Sequence, residues 1–332
     1  MQLTLCLPGL LLPGQAFRDT VSDLDLPALA RLHRHGRTTR GEALAADAWA
    51  ARRWRLTTLP AAALRVLAAG GDPGADAWIC LDPVHLEVHR RGVRLADPHA
   101  LALSAEEDQA LRADLAPLFA GLGELDARAP GRWELRLAAA AELETQSPAL
   151  AAGRDIDPAL PGGRDGPRWR SLLAEAQMLL HGHAVNRRRD AEGRPQANSL
   201  WPWGAGALPR DTAAPFDAVW TADPVLQGLA KASHAAAAPR PLGFATAPGR
   251  LLAILDELAA PALALDAHAW RTALAHLETE WFAPALAALK RGDCETLTLV
   301  GLGPEASVEL EVTRRDLWKF WRSPRPLTEL AP

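Results

Sequence analysis

Nine consecutive positions, Asn198-Ser-Leu-Trp-Pro-Trp-Gly-Ala-Gly206, hold an amide, two indoles, a proline and two glycines. Trp201 and Trp203 each offer a stacking face and one N–H donor. Gly204 and Gly206 allow positive φ or close approach of a ligand to the backbone. The fixed φ and missing N–H of Pro202 forbid a helix and disfavour a central paired strand, so the segment is expected to enter extended and leave through a turn. Two readings stand: a ligand-facing wall, or a tryptophan-rich plug closing one end of a core. Two further clusters could do chemistry. His85, Glu87 and His89 alternate with Val84, Leu86 and Val88, which puts three potential metal donors on one strand face, or else makes a solvated polar face. The run His183-Ala-Val-Asn-Arg-Arg-Arg189 supplies Asn186 and three guanidiniums, Arg187 first, suited to gripping phosphate or carboxylate or to lying solvated on a surface turn. His181 and His183 come together only if a helix has ended at Gly182, because positions two apart diverge by about 200° on a helix.

The elements that must position these groups read in chain order. Leu3 to Leu7 is a buried first strand ending at Pro8-Gly9; the opening lacks the basic start of a secretory signal. Helical spacing follows over 25–35, 39–53 and 60–69. A short strand from Ala77 runs into Asp82-Pro83, the alternating strand through His89 comes next, and Arg90 to Leu95 returns as a hairpin. Ser104-Ala-Glu-Glu107 is a capping box opening a helix to about Phe119. Two strands over 124–137 are joined at Ala129-Pro-Gly131, and Trp133, Leu135 and Leu137 face inward. A helix from Trp169 to His181 delivers the arginine run. Strands at 216–223, 250–256 and 295–301 alternate with a helix from Pro224 and a long helix over 267–290, and an edge strand at 308–312 precedes an apolar tail of Trp318, Phe320 and Trp321. This pattern predicts an α/β fold, a mainly parallel sheet flanked by helices with an inserted smaller α+β module. The expected parts are residues 1–75 as first part of the core, 76–150 as the insert, and 151–332 as the second part, carrying the Trp-Pro-Trp-Gly stretch.

Composition sets limits. The chain has 332 residues, enough for a sizeable core. A formal net charge of −4 gives no general attraction to nucleic acid, and no apolar run reaches the length of a membrane span. Neither nucleic acid nor membrane is therefore expected as a partner. Three cysteines with no close pair point to reduced thiols in a cytoplasmic protein, and against a zinc cluster or disulfide framework.

Taken in order, Asp82-Pro-Val-His-Leu86, Glu175-Ala-Gln-Met-Leu-Leu-His181, His183-Ala-Val-Asn186 and Asn198 to Gly206 resemble bacterial regulatory proteins of the RpfE type. That family is in turn similar to cofactor-independent phosphoglycerate mutases, especially the archaeal type, within the alkaline phosphatase superfamily. The resemblance implies a phosphoryl-transfer site with two metal ions held by Asp and His at strand ends. Two such cations neutralise the attacking and leaving oxygens. The sequence departs from that pattern at three places. Leu5-Cys-Leu-Pro-Gly-Leu10 ends a strand without a carboxylate, Asp256-Glu257 is followed by no glycine-histidine pair, and Val300-Gly-Leu-Gly-Pro304 lacks an Asp-His ending. The expectation is therefore a degenerate mutase-like protein with no catalytic and no metal-ligating residues and no cofactor. It would bind a small phosphorylated or carboxylated metabolite or a protein partner through Asn186, Arg187, Asn198, Trp201, Trp203, Gly204 and Gly206, with Asp82, His85 and His183 at the edge. The alternative is an active Mn- or Zn-dependent mutase or phosphatase whose altered metal site uses Asp82, His85, His181, His183 and Asp256.

Overall fold

The computed structural model describes residues 1–90 and 92–331. These divide into two compact units, the first formed by 1–55 with 213–332 and the second by 56–212.

The first unit opens with β1 (Gln2–Pro8), α1 (Gly14–Val21), α2 (Pro27–His35), β2 (Arg37–Glu42) and α3 (Ala46–Arg53). Helical spacing over 39–53 predicts a single helix, yet its first part is strand. Thr38 and Thr39 favour an extended chain, and Arg37–Glu42 pairs antiparallel along a neighbouring strand, so helix begins only at Ala46. The second unit comprises α4 (Ala61–Ala68), β3 (Trp78–Val84), β4 (Leu86–His89), β5 (Gly92–Leu95), α5 (Ala105–Phe119), β6 (Gly123–Ala129), β7 (Arg132–Leu137), α6 (Pro148–Ala151), α7 (Gly166–His181), α8 (Ala184–Ala191) and β8 (Ser199–Gly206). The chain then completes the first unit with β9 (Ala218–Trp220), α9 (Pro224–Ala232), β10 (Ala236–Ala238), β11 (Arg250–Ile254), α10 (Ala259–Ala264), α11 (Ala267–Leu277), α12 (Ala283–Arg291), β12 (Thr296–Leu302) and β13 (Ala306–Thr313). Among the described residues no helix is long and apolar enough to cross a membrane.

In the first unit the sheet order is β10-β9-β11-β1-β12-β13-β2, parallel from β10 through β12 and antiparallel at β13 and β2. The fold is thus a mixed, mostly parallel sheet flanked by helices. Both faces of its central strands are covered, which is why every residue from Leu3 to Leu7 is buried, Thr4 included. The strand at 308–312, expected at the edge, lies one place inside it, since β2 covers it. The long helix expected over 267–290 is interrupted by a π-helical turn at Glu278–Phe282. That turn brings the Glu278 carboxylate to the start of α2, where it accepts from the Ala28 and Leu29 amides at 2.5 and 3.1 Å and satisfies donors the helix leaves open.

In the second unit the order is β6-β7-β3-β8, all antiparallel, with β4 and β5 as a separate hairpin. The hairpin matches the expected return over Arg90 to Leu95, except that Arg91 lies outside the described residues. This unit is wider than the 76–150 insert expected from sequence, and the Trp-Pro-Trp-Gly stretch belongs to it rather than to the parallel core. The reason is pairing: β3 needs β8 along Trp78–Val84, while β7 reaches only to Cys80. Helix α4 and helix α7 pack against the same strands, Ala61–Ala63 and Leu173, Ala176 and Leu180 being buried there.

Candidate functional site

β8 lies at the edge of its sheet, so Pro202 removes no ladder hydrogen bond on the open side, and the same holds for Pro83, which sits beyond the β7 pairing. Register sets Trp201 opposite Asp82 and Trp203 opposite Cys80. Trp201 is buried with Val84, Leu95 and Ile156, and its indole donates to the Gln146 carbonyl at 2.8 Å. Trp203 is half-buried and donates to Asp82 Oδ2 at 2.8 Å. Both indole donors are therefore used inside the unit. Gly204 has φ +62°, and a Cβ there would stand 2.4 Å from Ala61 Cβ; at Gly206 it would meet Pro60 Cβ at 3.1 Å. The close approach that demands glycine is that of helix α4 rather than of a ligand.

Asp82 is a junction. Both its oxygens take a guanidinium nitrogen of Arg65 at 2.9 Å, Oδ2 also takes the Trp203 indole, and Oδ1 takes the Trp133 amide at 3.1 Å. Beside it the fully buried Glu134 lies 2.7 Å from Arg65 Nε but off line, so that neither of its oxygens gains a hydrogen bond. Burial pushes the Glu134 carboxyl up to about 7; Arg65 pulls it down and Asp82 adds to the rise. Burial likewise raises the Cys80 thiol well above its ordinary value. Strand alternation in β7 assigns Glu134 to a polar face, and nothing in the sequence signals that α4 covers that face.

The other predicted residues are engaged locally. Asn186 donates to the Leu180 and Ala197 carbonyls at 2.8 and 2.7 Å and accepts from the Ala197 amide at 2.9 Å. Asn198 clamps Leu86, accepting from its amide at 2.7 Å and donating to its carbonyl at 2.8 Å. His85 Nδ1 lies 2.8 Å from the Gln196 carbonyl. His183 caps α8, its Nδ1 accepting from Val185 at 3.1 Å, while Nε2 meets Asp114 at 3.1 Å. Exposed Arg187 donates to the Gly182 carbonyl. In the same run it is Arg189 that is buried, bonded to Glu107 at 2.7 Å and to the Pro195 and Leu101 carbonyls. Burial opposes the Glu107 charge, but the Ser104 amide, Arg189 and Arg194 outweigh it and hold the carboxyl below its ordinary value.

A cavity of about 540 Å³ opens beside the start of β8. Leu86, Val88 and Val93 of the hairpin, Ile156, Ala159 and Leu160 of the following loop, and Leu173 and Ala174 of α7 form its apolar wall. Its polar groups are Arg170, Gln177, His181, Gln196, Asn198 and Ser199. Of the predicted site residues, Asn198 and Trp201 line it, and Asn186, Arg187, Trp203, Gly204, Gly206, Asp82, His85 and His183 do not. Arg170 and Gln177 escape the sequence reading, and His181 enters it only as a metal donor, though a signal exists: with Leu173 and Ala174 the three recur at helical spacing on one stripe of α7. Gln177 is already oriented, donating to Ser199 Oγ at 3.0 Å, and one Arg170 nitrogen holds the Pro161 carbonyl at 2.6 Å.

The ends of the parallel strands in the first unit test the two-metal expectation. After β1, a Cβ on Gly9 would stand 2.6 Å from the Leu258 carbonyl oxygen, and the Gly9 carbonyl takes the Trp270 indole at 2.8 Å. After β12, a Cβ on Gly303 would stand 2.4 Å from the Leu11 carbonyl oxygen. After β11, Glu257 pairs with Arg240 at 2.6 Å, and Asp256 lies 4.0 Å from the same guanidinium. Backbone fills two strand ends and an arginine occupies the third, so these residues do not fit a two-metal centre. Among the described residues no group of three or more His, Cys, Asp or Glu is placed to hold a metal ion.

No family model matches the chain. Over 72 residues, 22% of this chain, it is 40% identical to the 2,3-bisphosphoglycerate-independent phosphoglycerate mutase of Methanosarcina barkeri, and over 73 residues it is 41% identical to that of Methanosarcina mazei. The chain resembles cofactor-independent phosphoglycerate mutases. The likeness is local, since each alignment takes in 18% of the length of the Methanosarcina enzyme. Among solved structures, the cofactor-independent phosphoglycerate mutase of Thermoplasma acidophilum aligns with 99% of this chain and 94% of its own, at 15% identity and a TM-score of 0.49. A protein from Pyrococcus horikoshii aligns with 94% of this chain and 87% of its own, at 14% identity and a TM-score of 0.48.

Proposed function

We propose that this mutase-like protein binds rather than converts, and that it is a degenerate relative of the mutases with a regulatory role, taking a small carboxylated or phosphorylated metabolite in the cavity beside β8. What supports this reading is the mismatch between the β1, β11 and β12 ends and a two-metal centre. Removing even one ligand opens such a site, and here backbone stands where ligands are needed. The cavity supplies the complementary half: an aliphatic wall for the body of a ligand, and Arg170, Gln177 and His181 along one helix stripe for its acidic end. Arg170 is the residue suited to a carboxylate or phosphate, because a guanidinium that holds one carbonyl still carries further donors.

The test combines metal analysis, a phosphoglycerate turnover assay with added Mn or Zn, and a tryptophan-emission titration with phosphoglycerate and simple carboxylates. Trp201 in the cavity wall is the reporter, identified by comparison with Trp201→Phe. Expected are substoichiometric metal, no turnover, and a saturable emission change abolished by Arg170→Ala. Stoichiometric Mn or Zn together with turnover would establish the rival reading of an active mutase, which the local similarity favours.

A further inference from the structure

The C-terminal segment of the first unit has a use that the cavity does not explain. Trp318, Phe320 and Trp321 are 75%, 80% and 69% exposed, although large aromatics normally seek cover. They are not on a loose tail. Arg34 donates to the Phe320 carbonyl at 3.0 Å and to the Arg322 carbonyl at 2.6 Å, and Arg322 donates back to the His35 and Gly36 carbonyls. Two guanidiniums thus tie residues 320–322 to the end of α2 and to Gly36.

Charge surrounds them. Across 314–325, Arg314, Arg315, Lys319, Arg322 and Arg325 stand against the lone carboxylate Asp316, in a chain whose formal net charge is −4. Asp316 is taken up by Lys319 at 2.5 Å and by Thr313. A cavity of about 400 Å³ lies where Arg31, Arg34 and Arg325 meet Phe320, and one of about 390 Å³ where Arg37, Lys319 and Arg322 converge. The first is lined by cations beside the exposed Phe320 ring; in the second, Glu311 and Asp316 already pair with Arg37 and Lys319.

We propose that this face docks the protein on an anionic phospholipid bilayer, with Trp318, Phe320 and Trp321 entering the headgroup boundary and the arginine-lined hollow beside Phe320 receiving a lipid phosphate. Tryptophan prefers that boundary, and cations near it are drawn to an anionic leaflet. Phe320 and Trp321 meet edge-on, at 79° and 5.4 Å, which makes a compact wedge rather than the successive open faces on which unpaired bases stack. The sequence leads to an expectation of no membrane partner because no apolar run is long enough to span a bilayer, whereas docking on its surface needs no such run.

Sedimentation of the full chain with vesicles tests the proposal, using phosphatidylcholine alone and phosphatidylcholine with about a third phosphatidylserine, the anionic lipid that draws basic segments. Binding is expected only to the anionic vesicles, with a blue shift of tryptophan emission. The variants Trp318→Ser with Trp321→Ser, and Arg315→Glu with Arg325→Glu, are each expected to lower the partition coefficient at least about tenfold while leaving the circular dichroism melt unchanged. Exposed positions carry these changes, so folding is spared. Absence of binding to both vesicle types, equal binding to both, or unchanged partitioning of the two variants overturns the proposal. Retention of a single-stranded oligonucleotide by a chain that ignores vesicles overturns it in favour of nucleic acid.

Discussion

Asp82 accepts from Arg65 twice, from the Trp203 indole and from the Trp133 amide, so one carboxylate ties α4, β7 and β8 to β3. Trp203→Phe removes one donor while keeping an apolar ring, and is expected to cost about 1.5–3 kcal/mol, the worth of a hydrogen bond to a charged group. Urea unfolding measures it, and an unchanged midpoint would show that the indole does not anchor the strand. Glu134 gives the site a pH signature. Its carboxyl titrates at about 7 in the folded chain against an ordinary 4.5, so between those values the folded state holds a proton that the unfolded state has released. Stability from this group is full below about pH 4.5 and declines as pH rises through 7, by up to about 3 kcal/mol. His33 and His35 act oppositely. Burial, and next to it Arg325 for His33, holds both below the ordinary histidine value, so they lose stability as pH falls through the range below 6.5. Comparing wild type with Glu134→Gln separates the two. The variant is expected to gain on wild type from pH 5 up to about pH 7 and to level off above it in urea unfolding, and parallel profiles would show that Glu134 is ionised throughout.

At the scale of elements, β8 shows why the densest sequence signal is legible only in part. Pro202 correctly excludes helix and central strand, and an edge strand satisfies both exclusions. The capping box at Ser104 was legible because all its partners lie within four residues, and the structure forms it in full. The strand Arg37–Glu42 was not, because its extended conformation is imposed by β13, more than 260 positions away in sequence. Glu134 and Gly204 failed for the same reason: what covers them is α4, and no local pattern reports a distant helix. Gly204→Ala puts this to a test. The added methyl would lie 2.4 Å from Ala61 Cβ on a residue with φ +62°, so overpacking and backbone strain act together. A loss of about 2–4 kcal/mol is expected in urea unfolding. A loss below about 0.5 kcal/mol, the size of an ordinary surface change, would mean that α4 can withdraw from β8.

For the molecule as a whole, the bounds of the second unit differ from those that composition suggests. The parallel alternation of β1, β9, β11 and β12 was legible from apolar runs, but the extent of the interruption was not. Composition changes at Ala77, whereas the second unit begins at Leu56 and ends at Thr212. Residues 76–150 contain β3, β6, β7 and α5, but lack β8, which pairs along the whole of β3, and lack Trp169, Leu173 and Ala176 of α7, which are buried against Leu81, Trp133 and Leu135 in one cluster. Excised alone, that segment would expose an unpaired strand and an uncovered apolar face. Residues 56–212 keep every strand of the β6-β7-β3-β8 sheet, the buried charges of Arg65, Asp82 and Glu134 with their partners, and the ion pairs of Glu107 with Arg189 and Arg194. Expressed separately, 56–212 is expected to be monomeric with a cooperative thermal transition and the Trp201 emission of the full chain, while 76–150 aggregates or melts without cooperativity. If 76–150 folds and 56–212 gains nothing from its added ends, then α4, α7 and β8 belong to the other core, and the cavity beside β8 loses its claim to be a site contained within one unit.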